Sequence, residues 1–185
     1  MSSKINVGKI YYLHFCTLTN NRTKKISKFD IFTFLVVPLL VSATFVILKL
    51  DLSFELISAI ITFSAIFSGL LMNVLVLVYD QSKQNDNEIK QYKQNKRNKE
   101  HVSPKDENNF KVKKKVLTEL YNNITYTILN SVFIVILSLL LILAKKDGWY
   151  VAEEYLINPL VIFVTVNVFL TAIMTVKRLH ALLDN

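Results

Sequence analysis

The chain has 185 residues, of which 52% are hydrophobic and 19% are charged, and its formal net charge is +8. A soluble domain carries about 25% charged residues, and its apolar residues are spread along the chain. Here they are gathered into four long stretches with the charges between them. One bilayer span needs about 20 apolar residues, so the sequence predicts an all-α integral membrane protein and excludes an ordinary soluble domain.

The first 29 residues form a basic segment that ends where the apolar residues begin. Lys9 stands beside a run of aromatic residues that includes Tyr11, Tyr12 and Phe15. This mixture favours a short helix at a membrane interface. A strand, or a contact with a partner protein, remains as an alternative.

Four transmembrane helices are predicted, over residues 31–48, 52–78, 124–144 and 156–176. The first is expected to be retained rather than cleaved as a signal peptide, because no small-residue cleavage pattern follows it. Pro38 predicts a mild kink inside it. Only Lys49, Leu50 and Asp51 separate the first two spans, which predicts a tight hairpin. The alternative is that one span, most readily the first, is re-entrant or interfacial.

These spans divide the chain into five parts. They are a cytoplasmic N-terminal segment (1–29), a first transmembrane hairpin (30–79), a basic hairpin or loop (80–121), a second transmembrane hairpin (122–177) and a cytoplasmic tail (178–185).

The distribution of Lys and Arg predicts the orientation. The N-terminal segment holds six, the long middle loop eleven and the tail two, whereas the two short connections hold three together. Basic residues collect in cytoplasmic loops, so both termini and the middle loop are predicted to be cytoplasmic.

The middle loop is polar, and its two halves differ. From Asp80 to Glu100 the sizeable apolar side chains are Ile89 and Tyr92, which leaves helix and disorder both open. In the second half, Phe110, Leu117 and Ile124 recur every seven residues and continue into the third span. That spacing predicts a helix packed against another helix, with a turn near residues 103–106.

The sequence carries no pattern typical of an enzyme. It has one cysteine and three widely separated histidines, with no zinc motif and no phosphate-binding loop. The predicted spans contain no charged residue at depth, which argues against a proton-driven transporter. We therefore expect no catalytic residues, no metal site and no cofactor.

Uncharged polar residues are the notable feature of the spans. They either hold the helices together through interhelical hydrogen bonds or line a pore, and both remain open. The candidates are Ser64, Ser68, Asn73, Asn130 and Asn167.

Two clusters of basic residues in the middle loop predict an anionic partner. Lipid headgroups are the first expectation, and a nucleotide or oligonucleotide bound through its phosphates is the second. The candidate residues for a ligand, a lipid or a partner protein are Lys90, Lys93, Lys96, Arg97, Lys113, Lys114 and Lys115.

Three segments resemble small multi-pass membrane effectors of bacterial anti-phage defence, of the Hailong or Kiwa type. They are FSGLLMNVLVLVYD at 67–80, ELYNNI at 119–124 and KRLHALL at 177–183. The resemblance covers about residues 60 to 183. It implies a homo-oligomer and a separate cytoplasmic partner protein, encoded in the same operon, that detects infection.

Together with what this resemblance implies, the polar residues of the second span and the basic middle loop predict a homo-oligomeric gated channel or pore in a bacterial inner membrane that depolarises the cell. A ligand or partner acting on the cytoplasmic part would open it. The alternative is a membrane anchor that recruits a soluble defence protein.

Overall fold

A computed structural model describes residues 6–18, 28–98 and 104–183, and within those ranges the chain forms helices and no strand. The prediction of an all-α protein is therefore confirmed. The helices are α1 (Val7–Thr17), α2 (Lys28–Ile31), α3 (Val37–Ile47), α4 (Phe54–Arg97), α5 (Pro104–Asp147), α6 (Tyr150–Ala152) and α7 (Asn158–Leu183).

Three helices are long and apolar enough to cross a membrane. They are Phe54–Arg97, Glu107–Asp147 and Tyr150–His180. The first predicted span corresponds to a shorter apolar helix, Phe32–Ile47. A membrane protein is therefore supported by three helices that could span a membrane, and the predicted count of four is not confirmed.

A π-helical turn, Phe32–Val36, joins α2 to α3 at the place where a kink was predicted. Pro38 has no amide hydrogen, so it cannot donate to the carbonyl of Phe34 four residues earlier. That carbonyl instead accepts a 2.7 Å hydrogen bond from Nδ2 of Asn167 on α7. The proline thus frees a carbonyl that fastens this helix to α7.

Helix α4 has a buried residue every seven positions along most of its 44 residues. A repeat of seven keeps one seam facing a partner helix, as in a coiled coil. The seam crosses from the apolar half into the polar half without a change of register. Its members are Ile57, Ser64, Leu71, Val78, Asn85 and Tyr92.

Helix α5 carries the matching repeat. Two of its rows, each spaced by seven, are almost completely buried. One row is Leu117, Ile124, Ser131 and Ser138, and the other is Leu120, Thr127, Ile134 and Leu141. The small serine and threonine side chains in these rows let the two backbones approach within the membrane segment.

The polar ends of α4 and α5 pack antiparallel and are here called the polar arms (residues 80–97 and 107–120). Lys96 Nζ lies 3.2 Å from Glu107 Oε2, and nearer the apolar segments Lys114 Nζ lies 2.7 Å from Asp86 Oδ1. The first half of the predicted loop is thus helical as far as Arg97 rather than disordered. Of the predicted turn at residues 103–106, residue 103 lies outside the described residues, and α5 begins at Pro104.

A tight hairpin was predicted between the first two apolar helices, and the structure does not confirm that these two helices pack on each other. Helix α3 packs mainly on α7 rather than on α4, its neighbour in sequence. Val41 and Phe45 join the apolar cluster around Val161, and Ser42 donates a 2.8 Å bond to the carbonyl of Pro159. These contacts with α7 determine the position of α3, although α4 is its neighbour in sequence.

We expect replacement of Asn85 by leucine to stabilise the protein by about 1 kcal/mol. Asn85 is fully buried between the arms, and its Nδ2 donates one long bond of 3.3 Å to the carbonyl of Phe110. Its Oδ1 has no hydrogen-bond partner in the part of the chain that the structure describes. Thermal unfolding in detergent measures the change, with Asn87→Leu on the exposed face as the control. A lower unfolding temperature for Asn85→Leu, but not for Asn87→Leu, would contradict the expectation that an apolar side chain stabilises this buried position.

Candidate functional site

A groove with a cavity volume of about 390 Å³ runs between the two polar arms. Its apolar surface comes from Ile89, Tyr92 and Phe110, and the two rings meet edge to face with centroids 6.0 Å apart. Lys93, Lys96, Lys111 and Lys114 line the groove together with Glu107. Four ammonium groups and one carboxylate give the groove a net positive charge.

Glu107 fixes two of these lysines. Its Oε1 lies 2.8 Å from Nζ of Lys111, and its Oε2 lies 3.2 Å from Nζ of Lys96. The hydrogen bonds from Lys111 and then from Lys96 hold the pKa of the Glu107 carboxyl below its usual value. Glu107 therefore stays charged and holds the two ammonium groups at the rim.

The structure brings together only part of the predicted basic set. Lys93, Lys96 and Lys114 line the groove, joined by Lys111, which was not among the predicted site residues. The other four do not line it. They are Lys90 and Arg97, which are exposed on α4, Lys113, whose Nζ is 3.7 Å from Glu88, and Lys115, whose Nζ is 4.0 Å from Glu119.

The predicted polar residues of the spans separate into three environments. Ser64 and Ser68 are buried on α4, and Ser64 belongs to the seam with α5. Asn130 and Asn167 are also buried; Asn130 accepts a hydrogen bond from Tyr11 of α1, and Asn167 accepts one from Tyr126 of α5. Asn73 alone of the five is exposed on its helix.

Asn73 belongs to an exposed row of small and polar residues, here called the outer row of α4. Helical spacing of three and four residues places them on one side of the helix. Its members are Ser58, Thr62, Ala65, Gly69 and Asn73, all exposed in the chain. A side chain added at Gly69 would meet nothing within 4 Å.

A set of buried polar residues, here called the polar seam, joins α1, α5 and α7. Tyr126 Oη donates a 2.8 Å hydrogen bond to Oδ1 of Asn167. The His14 ring of α1 stacks flat on the Tyr126 ring, with centroids 3.7 Å apart and planes at 3°. The members are His14, Asn123, Tyr126, Asn130 and Asn167.

His14 is only 1% exposed, and its Nδ1 lies 2.9 Å from Oδ1 of Asn123. Because an amide oxygen only accepts hydrogen bonds, Nδ1 carries the ring proton. Burial lowers the pKa of His14 from 6.5 to about 4, the bond to Asn123 opposes this shift, and the charge of Arg178 adds to it. His14 is therefore neutral in the folded protein at pH 7.

The polar seam was not predicted as a unit, although part of its signal is present in the sequence. Asn123, Tyr126 and Asn130 are spaced by three and four residues, which places them on one side of a helix. Their partner His14 lies more than a hundred residues earlier, and no local pattern connects it to them.

At the opposite end of the helices, Lys145 holds two carboxylates. Its Nζ lies 2.7 Å from Oδ2 of Asp51 and 2.7 Å from Oε1 of Glu153. The side chains of Lys145 and Glu153 are 10% and 11% exposed. Burial alone would raise the pKa of Asp51, but the bonds from Lys145 and Asn158 lower it below its usual value.

Over residues 6–18, 28–98 and 104–183, no three His, Cys, Asp or Glu side chains form a group that could hold a metal ion. No protein-family model, no curated protein and no solved structure matches the chain. The features of the chain that bear on its function are the groove, the outer row of α4 and the polar seam.

Proposed function

We propose that this protein is a membrane effector of bacterial anti-phage defence that forms a homo-oligomeric gated channel in the inner membrane. Opening depolarises the cell when an anionic ligand or a partner protein acts on the polar arms. The observation that carries the proposal is the outer row of α4, which places small and polar side chains on an outward face of an apolar helix.

The outer row needs a partner other than lipid. Only 17% of the apolar window of α4 is buried within the chain, against 44% for the window of α5 and 39% for that of α7. An exposed amide such as that of Asn73 is unfavourable in hydrocarbon unless it finds a hydrogen bond. Copies of α4 around a shared axis would turn this row toward water, and uncharged polar walls suit a weakly selective pore.

Four spans with both termini in the cytoplasm remain the topology that the charge distribution favours. Helical structure is continuous from Lys28 through the π-helical turn to Ile47, which is twenty residues. At about 1.5 Å per residue that run is about 30 Å long, matching the hydrocarbon thickness. This supports a first span that crosses the membrane.

The polar arms would then form a cytoplasmic hairpin joined rigidly to the spans. The buried repeat of α4 continues from Leu71 in the apolar half to Tyr92 in the arm. A force on the arms would therefore reach the outer row through one continuous pair of helices. Ligand binding opens the channel only if the ligand prefers the open arrangement.

The position of the groove favours a soluble anion over lipid headgroups. Tyr92 is fourteen residues beyond Val78, and Phe110 is fourteen residues before Ile124. At about 1.5 Å per residue, the groove lies about 21 Å beyond the ends of the apolar segments. A phosphorylated ligand with an aromatic ring would match the lysines and the exposed side of Phe110.

Conductance of the purified protein in planar bilayers tests the pore. We expect Asn73→Leu to lower the single-channel conductance at least about threefold, because it places an apolar side chain on the polar wall. Ser64→Ala is the matched control, since Ser64 is a polar residue of the same helix that faces α5. Absence of current under every condition would refute the channel, and equal effects of the two changes would refute this lining.

Binding of ATP and of a single-stranded hexanucleotide to the full chain in nanodiscs tests the groove. Lys93→Gln and Lys114→Gln together should weaken binding about tenfold or more, because each removes a charge from the rim. Lys90→Gln with Arg97→Gln removes the same charge outside the groove and should change affinity less than about twofold. Equal losses in both pairs would mean that only the overall charge of the arms matters.

The second candidate function is a membrane scaffold for a soluble defence protein. The length of the polar arms favours it, since eighteen helical residues at 80–97 extend about 27 Å. Co-purification with the product of the adjacent gene separates the two functions. Stoichiometric binding without ion flux supports the scaffold, whereas ion flux from the purified chain supports the channel.

A further inference from the structure

Helix α1 lies across the boundary between α5 and α7 and is bonded to both. On α5, Tyr11 Oη donates a 2.9 Å hydrogen bond to Oδ1 of Asn130, and Thr17 Oγ1 lies 2.8 Å from Oδ1 of Asn123. On α7, Arg178 Nη2 donates a 2.9 Å bond to the carbonyl of Thr17. Arg178 also faces Glu119 of α5, with Nη1 3.5 Å from Oε2. Helix α1 therefore bridges the two helices.

The contact is made mainly by polar side chains. The buried residues of α1 are His14 and Thr17. Neither of the two apolar clusters among the described residues contains a side chain of α1. Release of α1 would expose Leu18, which follows the helix and is 2% exposed, and one face of the Tyr126 ring, but it would break neither of these clusters.

The docked arrangement also leaves a polar group unsatisfied. Asn123 is fully buried, and its Nδ2 has no hydrogen-bond partner among the described residues. Release of α1 would let water reach this amide and the phenol of Tyr126. An unpaired buried donor destabilises the docked state relative to a hydrated one.

Beneath α1, the contact between α5 and α7 changes character along its length. At the end near α1 it includes the hydrogen bond between Tyr126 and Asn167 and the packing of Leu179 of α7 on an apolar cluster of α4 and α5. Toward the other end it is made by a larger apolar cluster that includes Leu137, Leu141 and Val161. A polar contact can exchange its hydrogen bonds with water, whereas an apolar contact resists opening. Separation of the two helices therefore costs less at the end near α1 than at the other end.

We propose that α1 is a releasable, autoinhibitory latch that keeps the polar seam between α5 and α7 closed. Its release lets the α4–α5 pair move against α7. The physiological meaning of this movement rests on the proposed function as a channel. The latch itself does not depend on conduction, since it is a statement about the position of α1.

The single cysteine, Cys16, is exposed on α1 and serves as the site for a nitroxide spin label. The experiment measures label mobility and channel current on the full chain in nanodiscs and in planar bilayers. His14→Ala removes the stacked ring and the bond to Asn123, and should raise the mobile fraction about tenfold. Tyr11→Phe removes one hydroxyl, preserves the ring, and should raise it about fivefold. Lys9→Gln, on the exposed side of α1, is the control and should leave it unchanged.

The two readouts separate the latch from the channel. A higher mobile fraction together with current in the absence of ligand supports both. An unchanged mobile fraction in His14→Ala and Tyr11→Phe overturns the latch. Current that these variants do not change, despite a released α1, overturns the autoinhibitory role. Release of α1 in a protein that never conducts supports the latch and counts against the channel.

Discussion

Replacement of Lys145 by alanine is expected to lower the free energy of unfolding by about 3 kcal/mol, because it leaves a largely buried carboxylate without its partner. Glu153 is 11% exposed, and its Oε1 lies 2.7 Å from Nζ of Lys145. The same ammonium group reaches Asp51 in the segment before α4. One side chain of α5 therefore ties together the turns that precede α4 and α7.

Thermal unfolding of the detergent-solubilised protein measures this effect, with an expected fall of about 10 °C in the midpoint. Lys146→Ala is the matched control, since Lys146 is the exposed neighbour and should change the midpoint by less than about 2 °C. Adding Glu153→Gln to Lys145→Ala should recover about half of the loss, because no unpaired buried charge then remains. Equal losses from Lys145→Ala and Lys146→Ala would contradict a role for the buried pair.

The fold could be predicted where the pattern lies within one segment. The apolar stretches indicated membrane helices, and Phe110, Leu117 and Ile124 indicated a helix that packs on another. Leu117 and Ile124 are fully buried, and Phe110 contacts Tyr92. A residue with a large apolar side chain on a helical repeat is a local signal of packing.

The polar arm of α4 was harder to predict because the row of buried residues that packs on α5 is partly polar. The position seven residues after Val78 is occupied by Asn85, which reads as a solvent-exposed residue in a polar segment. It is fully buried, and Tyr92 follows seven residues later. Continuing the repeat from the apolar half would have found it, since a single asparagine in a coiled-coil seam fixes register without ending the pairing.

The candidate site was predicted only in part, for the same physical reason. Charge clusters in one segment locate a basic region, and Lys93, Lys96 and Lys114 do line the groove. Which lysines face inward depends on the register between two helices, and composition does not specify that. The contact of His14 with Asn123 joins positions 109 residues apart, so it requires the tertiary structure.

Helix α1 is expected to dock less strongly at pH 5.0 than at pH 7.5, by about 2 kcal/mol. In the docked state the pKa of His14 is lowered from 6.5 to about 4 by burial, against the opposing bond to Asn123. A histidine whose pKa is lowered by folding must lose its proton to stay buried. The free-energy cost of docking α1 with an unprotonated His14 is negligible well above pH 6.5 and grows as the pH falls toward 4.

The charged groups around His14 set the sign of this effect. Arg178 of α7 faces the ring, and its positive charge disfavours a second positive charge on His14. Burial lowers the pKa of Arg178, and the charges of Glu119 and Asp30 oppose this shift and help to keep the guanidinium charged. Acidification therefore places the positive charges of His14 and Arg178 close together at the buried end of α1. Release of the helix separates these two charges.

The mobility of a spin label at Cys16, measured from pH 7.5 to 5.0, reports this release. We expect the mobile fraction to rise steeply below pH 6.5 in the protein with His14, because a penalty of about 2 kcal/mol shifts the docking equilibrium about thirtyfold. His14→Gln keeps a group that can bond to Asn123 but does not titrate, so its mobile fraction should be independent of pH in this range. If His14→Gln shows the same rise, the titrating group is another residue, and the coupling between His14 and the docking of α1 is wrong. If neither protein responds, the polar seam tolerates the charged ring, which requires water at the seam even when α1 is docked.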